Sequence, residues 1–322
     1  MADPLRVVLH TDAPDGLVAR LHTVVPEAEV QLCTTYEDLP DLIARFAPQI
    51  VYTVRFAGTP GYPRAALFGP GGPALVCNGG VGTDHFGLWD TDRTTVTNAA
   101  GVAAGMMAEY VLGGFLHFTL DIPGLAADQT QRVWRARTVR PLAGATLLIV
   151  GLGQTGQALA ARARAFGMHV IGTRARPAAM ENVDEVHGPD QLDTLIPRAD
   201  FVAACTPLTE RTRAMIGPAQ IAALRPRAVL ADVSRGGVVD QTALARALAA
   251  RAIRGAVLDV FEVEPLPQDS PFWDMDNVIL SPHCASVYDG WETASFDIFV
   301  DNVTRWQAGA ELRNVVDPVR GY

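Results

Sequence analysis

The sequence predicts an α/β protein of two domains, the larger a doubly wound parallel sheet and the smaller a flavodoxin-like α/β domain. Three observations carry this expectation. The chain has 322 residues, beyond the size at which a single hydrophobic core stops growing. Short apolar runs alternate with helix-patterned segments along nearly its whole length. One such run, Thr146-Leu-Leu-Ile-Val150, leads straight into Gly151-Leu-Gly153-Gln-Thr-Gly156 and then an Ala-rich, Arg-dotted segment ending at Phe166.

The first hundred residues supply strand patterns at 5–10, 29–33, 49–54, 74–77 and 94–97, and helical segments at 17–24 and 39–46. Thr59-Pro-Gly-Tyr-Pro63 and Gly69-Pro-Gly-Gly-Pro73 are breaker clusters that predict a loop-rich stretch. Asn78-Gly-Gly-Val-Gly-Thr-Asp84 follows a strand. It reads as a nest of backbone N–H groups able to hold a carboxylate, or equally as a plain tight turn. Residues 99–120 are nearly apolar and long enough to span a bilayer. Glu109 near the centre of that run argues for a buried helix crossing between domains instead. Residues 122–141 are polar, Arg-rich and helical in part, with Trp134 among them.

From Thr146 the alternation is regular. Strand patterns at 146–150, 169–173, 201–205, 228–233, 256–260 and 278–280 make six, the complement of a doubly wound dinucleotide-binding sheet. Trp291, Ala294, Ile298, Phe299, Val303 and Trp306 share one face of a last helix. That helix is expected to pack back on the first domain. The resulting division is a discontinuous substrate domain (1–98 and 288–322) and a dinucleotide-binding domain (99–287).

Composition narrows the classes of function. Hydrophobic content of 49% with 19% charged residues suits a globular enzyme. A formal net charge of −9 gives nucleic acid or an anionic membrane no global attraction. Cys33, Cys77, Cys205 and Cys284 are scattered, which predicts reduced thiols in the cytoplasm. His85, His117 and His187 lack metal-ligand spacing, so no metal is expected. The start, Met1-Ala-Asp-Pro-Leu-Arg6, has no signal-peptide pattern.

The glycine motif sits where a dinucleotide would bind. Gly151 serves the tight turn, Gly153 the close approach of a pyrophosphate, and Gly156 the packing of helix on strand. Three charged residues lie just past later strands: Arg235, Glu264 and His283. Ligands of open parallel sheets sit outside those strand ends. Hydride arriving at a carbonyl carbon makes an alkoxide that needs a proton, which a histidine can donate. A carboxylate bonded to that histidine favours its imidazolium form, and an arginine clamps a substrate carboxylate. Singly, each has a bland reading: a surface ion pair, a turn residue before Pro265, a loop histidine. Their joint placement beside the glycine motif favours chemistry. Cys284 next to His283 is read as structural.

Val150-Gly-Leu-Gly-Gln-Thr-Gly156, Pro207-Leu-Thr-Glu-Arg-Thr212, Val233-Ser-Arg-Gly-Gly-Val-Val-Asp240, Leu258-Asp-Val-Phe-Glu-Val-Glu-Pro-Leu-Pro267 and Ser281-Pro-His283 resemble the D-isomer-specific 2-hydroxyacid dehydrogenases. The resemblance runs from about Asn78 almost to the end, in the family's order and spacing. It implies an oxidoreductase interconverting a small 2-oxo acid and its D-2-hydroxy acid, in the branch similar to glyoxylate and hydroxypyruvate reductases. It implies Arg235 as substrate binder, His283 as acid/base with Glu264 as its partner, and Asp259 near the nicotinamide amide. It places the Val81 and Gly82 amides on the substrate carboxylate, with Arg55 a further candidate contact. It also implies a homodimer joined through the nucleotide domain and the crossing helix.

The residues expected at the cofactor are Gly151, Gly153, Gln154, Thr155, Gly156, Thr173, Arg174, Arg176, Thr206, Val233 and Asp259. NAD-binding folds put an acid after the second strand, and this chain has Arg174 and Arg176 there, which points to NADP with NAD as the alternative. The chain departs from the family pattern at Asp232, where Asn is common, at Thr206, and at Met106-Met107. Two rival readings resemble the same family: a nucleotide-sensing corepressor-like regulator and a dehydrogenase of phosphite-type oxyanions.

Overall fold

A computed structural model describes residues 4–56 and 59–321. Met1–Asp3, part of the start read for a signal pattern, and Tyr322, the last residue of the expected substrate domain, lie outside the described residues. The chain divides into two compact units, Met1–Val102 with Asp289–Tyr322, and Ala103–Tyr288.

The first unit is built on five parallel strands: β1 (Arg6–His10), β2 (Glu29–Cys33), β3 (Ile50–Thr53), β4 (Leu75–Asn78) and β5 (Thr95–Thr97). Their order, β2-β1-β3-β4-β5, is the flavodoxin-like arrangement. Both faces are covered, which is why β1, β3 and β4 read as unbroken apolar runs. On one face Val7, Leu9, Ile50 and Tyr52 pack on Phe296, Phe299 and Val303 of the Trp291–Gln307 helix. On the other, Val8, Val51 and Val76 meet Leu39, Leu42 and Ile43 of the Leu39–Phe46 helix. The stretch expected to be loop between residues 59 and 73 contains a helical turn, Arg64–Phe68. Burial of Leu67 in the core holds that turn against its proline- and glycine-rich flanks.

The second unit holds seven parallel strands, not six: β6 (Thr146–Val150), β7 (His169–Thr173), β8 (Glu185–His187), β9 (Phe201–Ala204), β10 (Val229–Asp232), β11 (Gly255–Leu258) and β12 (Val278–Leu280). The order is β12-β11-β10-β9-β6-β7-β8. Strand β8 escaped the sequence pattern because it is a three-residue edge strand, half-buried throughout and paired only with β7. Polar contacts hold it: Glu185 binds His169, His187 and Arg198. The strand order reverses between β6 and β9, the switch point beside which doubly wound sheets bind ligands.

The apolar run 99–120 yields the helix Ala104–Thr119. Among the described residues no single helix is long and apolar enough to cross a membrane. The pair Ala104–Thr119 and Ile122–Gln131, bent by 56°, passes by length and composition only. Ala108, Val111, Leu112 and Phe115 are buried against Leu147, Ile149 and Val257 of the sheet. The packing is close enough that a Cβ on Gly114 would lie 2.5 Å from a Val257 methyl. Glu109, the residue that argued against a bilayer, pairs with Arg162 at 3.1 Å.

Candidate active site

The glycine loop follows from where β6 ends. Gly151 adopts φ +105°, a region L-residues rarely enter. The N–H groups of Gly151 and Leu152 both donate to the Thr173 carbonyl, at 3.2 and 2.9 Å, tying the loop to the end of β7. A Cβ on Gly151 would stand 2.9 Å from the Thr206 nitrogen, and one on Gly156 would stand 2.2 Å from the Gly151 carbonyl. Gly153 differs: no heavy atom lies within 4 Å of the Cβ position, so the backbone there is open. Gly153 caps the helix Gln154–Ala165, which has no side-chain cap. The first-turn N–H groups of a helix lack intrahelical acceptors and attract anions. A dinucleotide diphosphate fits this open, uncapped helix start.

Past the loop, Gln154 is exposed, and the Thr155 hydroxyl lies 3.7 Å from the Met107 sulfur. Thr206 is half-buried and Val233 is buried.

At the end of β7, Thr173 is buried, Arg174 half-buried and Arg176 exposed. The Arg174 N–H donates to the His187 carbonyl at 3.1 Å, and its Nη1 lies 3.1 Å from the Met180 sulfur. Asp184 and Glu185 are committed elsewhere. Asp184 holds Arg164 and the Val170 N–H, and Glu185 holds two histidines and Arg198. Among the described residues neither Arg174 nor Arg176 has a carboxylate partner, so that edge presents positive charge.

Arg235, Glu264 and His283 all sit on turns at the C-terminal ends of neighbouring strands β10, β11 and β12. Arg235 Nη1 donates to the Ser234 carbonyl at 2.8 Å. Its turn lies directly on the turn after β11, since a Cβ on Gly236 would fall 1.9 Å from the Phe261 carbonyl oxygen. Glu264 has both oxygens engaged: Oε1 accepts from the Phe261 N–H at 2.9 Å and Oε2 meets His283 Nδ1 at 2.8 Å. Burial pushes the Glu264 carboxyl up. The bonds from His283 and Phe261, with the charges of His283 and Arg235, outweigh it and hold Glu264 below the usual range.

His283 is itself held from below, in a left-handed conformation at φ +53°. Its N–H donates to the Asp259 carbonyl at 2.9 Å. Asp259 Oδ1 accepts from the Ser281 hydroxyl (2.6 Å), the Cys284 N–H (2.8 Å) and the Ala285 N–H (3.0 Å). Tyr110 on the Ala104–Thr119 helix closes the network through the Ser281 oxygen at 2.5 Å. With Nδ1 committed to Glu264, Nε2 is the ring nitrogen left to exchange a proton with a ligand. Cys284 is exposed, and burial of its sulfur with the charge of Asp259 raises its thiol, the opposite of an activated nucleophile.

The expected substrate amides belong to the other unit. Asn78 Nδ2 donates to the Gly80 and Gly82 carbonyls at 3.0 and 2.9 Å, and Asn98 Nδ2 to the Val81 carbonyl at 2.7 Å. Carbonyls are thus tethered, while the N–H groups of Val81 and Gly82 have no acceptor among the described residues. Consecutive N–H groups left without an acceptor are the donors an anion-binding nest requires. Arg55 lies just past β3 and is exposed.

Sequence reasoning missed Tyr110, Ser281, Asn78 and Asn98 as supports of these groups. Ser281 and Asn78 left a signal, each a polar residue at a strand end. Tyr110 left none, because only the helix-on-sheet contact brings it to Ser281.

The family model of the D-isomer specific 2-hydroxyacid dehydrogenase NAD binding domain matches residues 112–285. A D-3-phosphoglycerate dehydrogenase of Methanocaldococcus jannaschii is 35% identical over 253 residues, 76% of this chain and 47% of that protein, so the chain spans about half its length. A solved D-isomer specific 2-hydroxyacid dehydrogenase from Xanthobacter autotrophicus, in complex with NADPH and MES, superposes with a TM-score of 0.84. It is 31% identical, over 99% of this chain and 100% of that one. An NADPH-dependent glyoxylate/hydroxypyruvate reductase from Sinorhizobium meliloti, in complex with NADP and sulfate, gives a TM-score of 0.82. It is 27% identical, over 99% and 100% of the two chains. The match of more than half the chain to the family model, on a fold with these two sheets, places the chain in the D-isomer specific 2-hydroxyacid dehydrogenase family.

Proposed function

We propose that the protein is an NADP(H)-dependent oxidoreductase that interconverts a small 2-oxo acid and its D-2-hydroxy acid, with glyoxylate and hydroxypyruvate the substrates to test first. The observation that carries this reading is the His283 Nδ1–Glu264 Oε2 contact of 2.8 Å at the strand ends of the sheet that carries the glycine loop. The residues 99–287 serve as the dinucleotide-binding domain, and 1–98 with 288–322 as the substrate domain.

The nicotinamide, when bound, supplies or accepts the hydride. Gly151, Gly153, Gln154, Thr155 and Gly156 would hold the diphosphate, Thr173, Arg174 and Arg176 the adenosine end, and Thr206, Val233 and Asp259 the nicotinamide end. His283 Nε2 gives its proton to the carbonyl oxygen during reduction and takes it back during oxidation. Glu264 keeps the ring oriented and stabilises the imidazolium before transfer. Arg235 binds the substrate carboxylate and polarises the carbonyl. The Val81 and Gly82 amides and Arg55 are assigned to substrate binding on the resemblance. Asp259, with three donors on one oxygen, holds the His283 loop and would stand at the nicotinamide end of a bound cofactor.

A panel of glyoxylate, hydroxypyruvate, pyruvate and phenylpyruvate with NADPH and NADH tests the reading. Absence of turnover on every one would refute it and favour the regulator or the oxyanion enzyme. Arg235→Lys keeps the charge and loses the planar fork. KM for the preferred oxo acid is expected to rise about tenfold and kcat to fall. Unchanged steady-state constants would put Arg235 outside the substrate site.

The protein acts as a homodimer in the cytoplasm. The four free cysteines support a reducing compartment. Trp134 is fully exposed, and Ile122, Leu125, Val133 and Val139, within the same twenty residues of sequence, are also exposed, apolar side chains suited to burial against a second copy. Sedimentation velocity is expected to give about 69 kDa, twice the 34.4 kDa chain mass (2 × 34.4 = 68.8). A monomer at micromolar concentration would reject the dimer.

A further inference from the structure

Asp232, the last residue of β10, is fully buried. Its Oδ1 accepts from the Ser234 N–H at 3.1 Å and the Ser234 hydroxyl at 2.5 Å, while Oδ2 has no partner among the described residues. The ionisable groups facing it are Cys205 past β9, Asp259 past β11 and Arg235 on its own turn. An ionised carboxylate here would leave one oxygen without a donor, in the field of a second carboxylate, and such burial is costly. Asp259 stands in the opposite situation, with three donors on Oδ1. Of two neighbouring carboxyls in unequal surroundings, the one rich in donors ionises and the other keeps its proton.

The contacts continue from Asp232 to the site. Its Oδ1 fixes both donors of Ser234, and the Ser234 carbonyl in turn accepts from Arg235 Nη1 at 2.8 Å. We propose that Asp232 carries a proton below neutral pH and, as a neutral acid, is the positioning residue that holds the Ser234–Arg235 turn in register for the substrate carboxylate. Its role toward substrate rests on the assignment of Arg235 made above. Its proton does not.

Burial pushes the Asp232 carboxyl up to about 7, so the proton is lost near neutrality. The folded-state value lies above the ordinary 3.8, so between the two the folded chain binds more protons than the unfolded one. The contribution of Asp232 to stability therefore falls as pH rises from about 4 to about 7 and is level above that. Asp232→Asn removes the penalty while keeping the Oδ1 acceptor for Ser234.

Isotope-edited infrared spectroscopy of the full chain, labelled with carbonyl-13C aspartate, tests the proposal. The wild type is expected to show a carboxylic-acid carbonyl band at pH 6 that bleaches by pH 8 and is missing from Asp232→Asn. The melting temperature of Asp232→Asn is expected to exceed the wild type's by roughly 5 °C or more at pH 8, with the gap closing as the solution is acidified. The ratio of KM values, wild type over Asp232→Asn, is expected to rise about threefold or more across the same interval. A wild type with no such band at pH 6 overturns the proton on Asp232, and a KM ratio flat with pH overturns its positioning role. Failure of the wild type to turn over any oxo acid, with the band present, would strike the oxo-acid reading and leave the proton assignment upheld.

Discussion

Replacing His283 with alanine is expected to lower kcat for oxo-acid reduction by about 10²–10⁴-fold, the usual contribution of a positioned general acid. Glu264 occupies Nδ1 at 2.8 Å, and the backbone of His283 is bonded to Asp259 at 2.9 Å, so the ring is fixed with one nitrogen available. Removing the ring deletes the proton source and leaves the Arg235 turn and the glycine loop in place. Cofactor affinity, read by quenching of protein fluorescence with NADPH, is therefore expected to stay within about threefold of the wild type. Near-wild-type turnover across the pH range would show that another group donates the proton.

The second large effect concerns the choice of cofactor. Arg174→Asp is expected to lower kcat/KM for NADPH by about 10–100-fold, the worth of one charge-assisted hydrogen bond to a 2′-phosphate, and to raise it for NADH. Arg174 is half-buried at the end of β7, and among the described residues it has no carboxylate partner to neutralise it. Its backbone is bonded to His187, so the side chain starts from a fixed point. A carboxylate at that position accepts from the ribose 2′-OH of NADH and repels the phosphate of NADPH. Steady-state constants for both cofactors, in both proteins, decide it. A wild type that prefers NADH would refute the NADP assignment without touching the His283–Glu264 pair.

Much of this was legible in the sequence, and the reason is physical. Strands buried on both faces must be apolar throughout, so β1, β3, β4, β6, β9 and β10 announced themselves. The glycine loop was legible because its turn excludes side chains, as the crowding at Gly151 and Gly156 shows. Arg235, Glu264 and His283 could be singled out because strand ends of a parallel sheet lie along one edge.

Other features were decided only by the tertiary structure. Strand β8 carries no apolar pattern, because it is an edge held by the polar contacts of Glu185. The turn at Arg64–Phe68 forms among breakers because Leu67 finds a core to fill. Tyr110 reaches Ser281 across 171 positions of chain, a contact set by how the Ala104–Thr119 helix lies on the sheet. Asp232 read only as a substitution for Asn. That one of its oxygens is buried without a donor, while Asp259 one strand away has three, is a matter of which groups folding leaves facing each carboxyl. Residue order fixes which side chains stand at a strand end. Packing between segments distant in the chain fixes which of them keeps its proton.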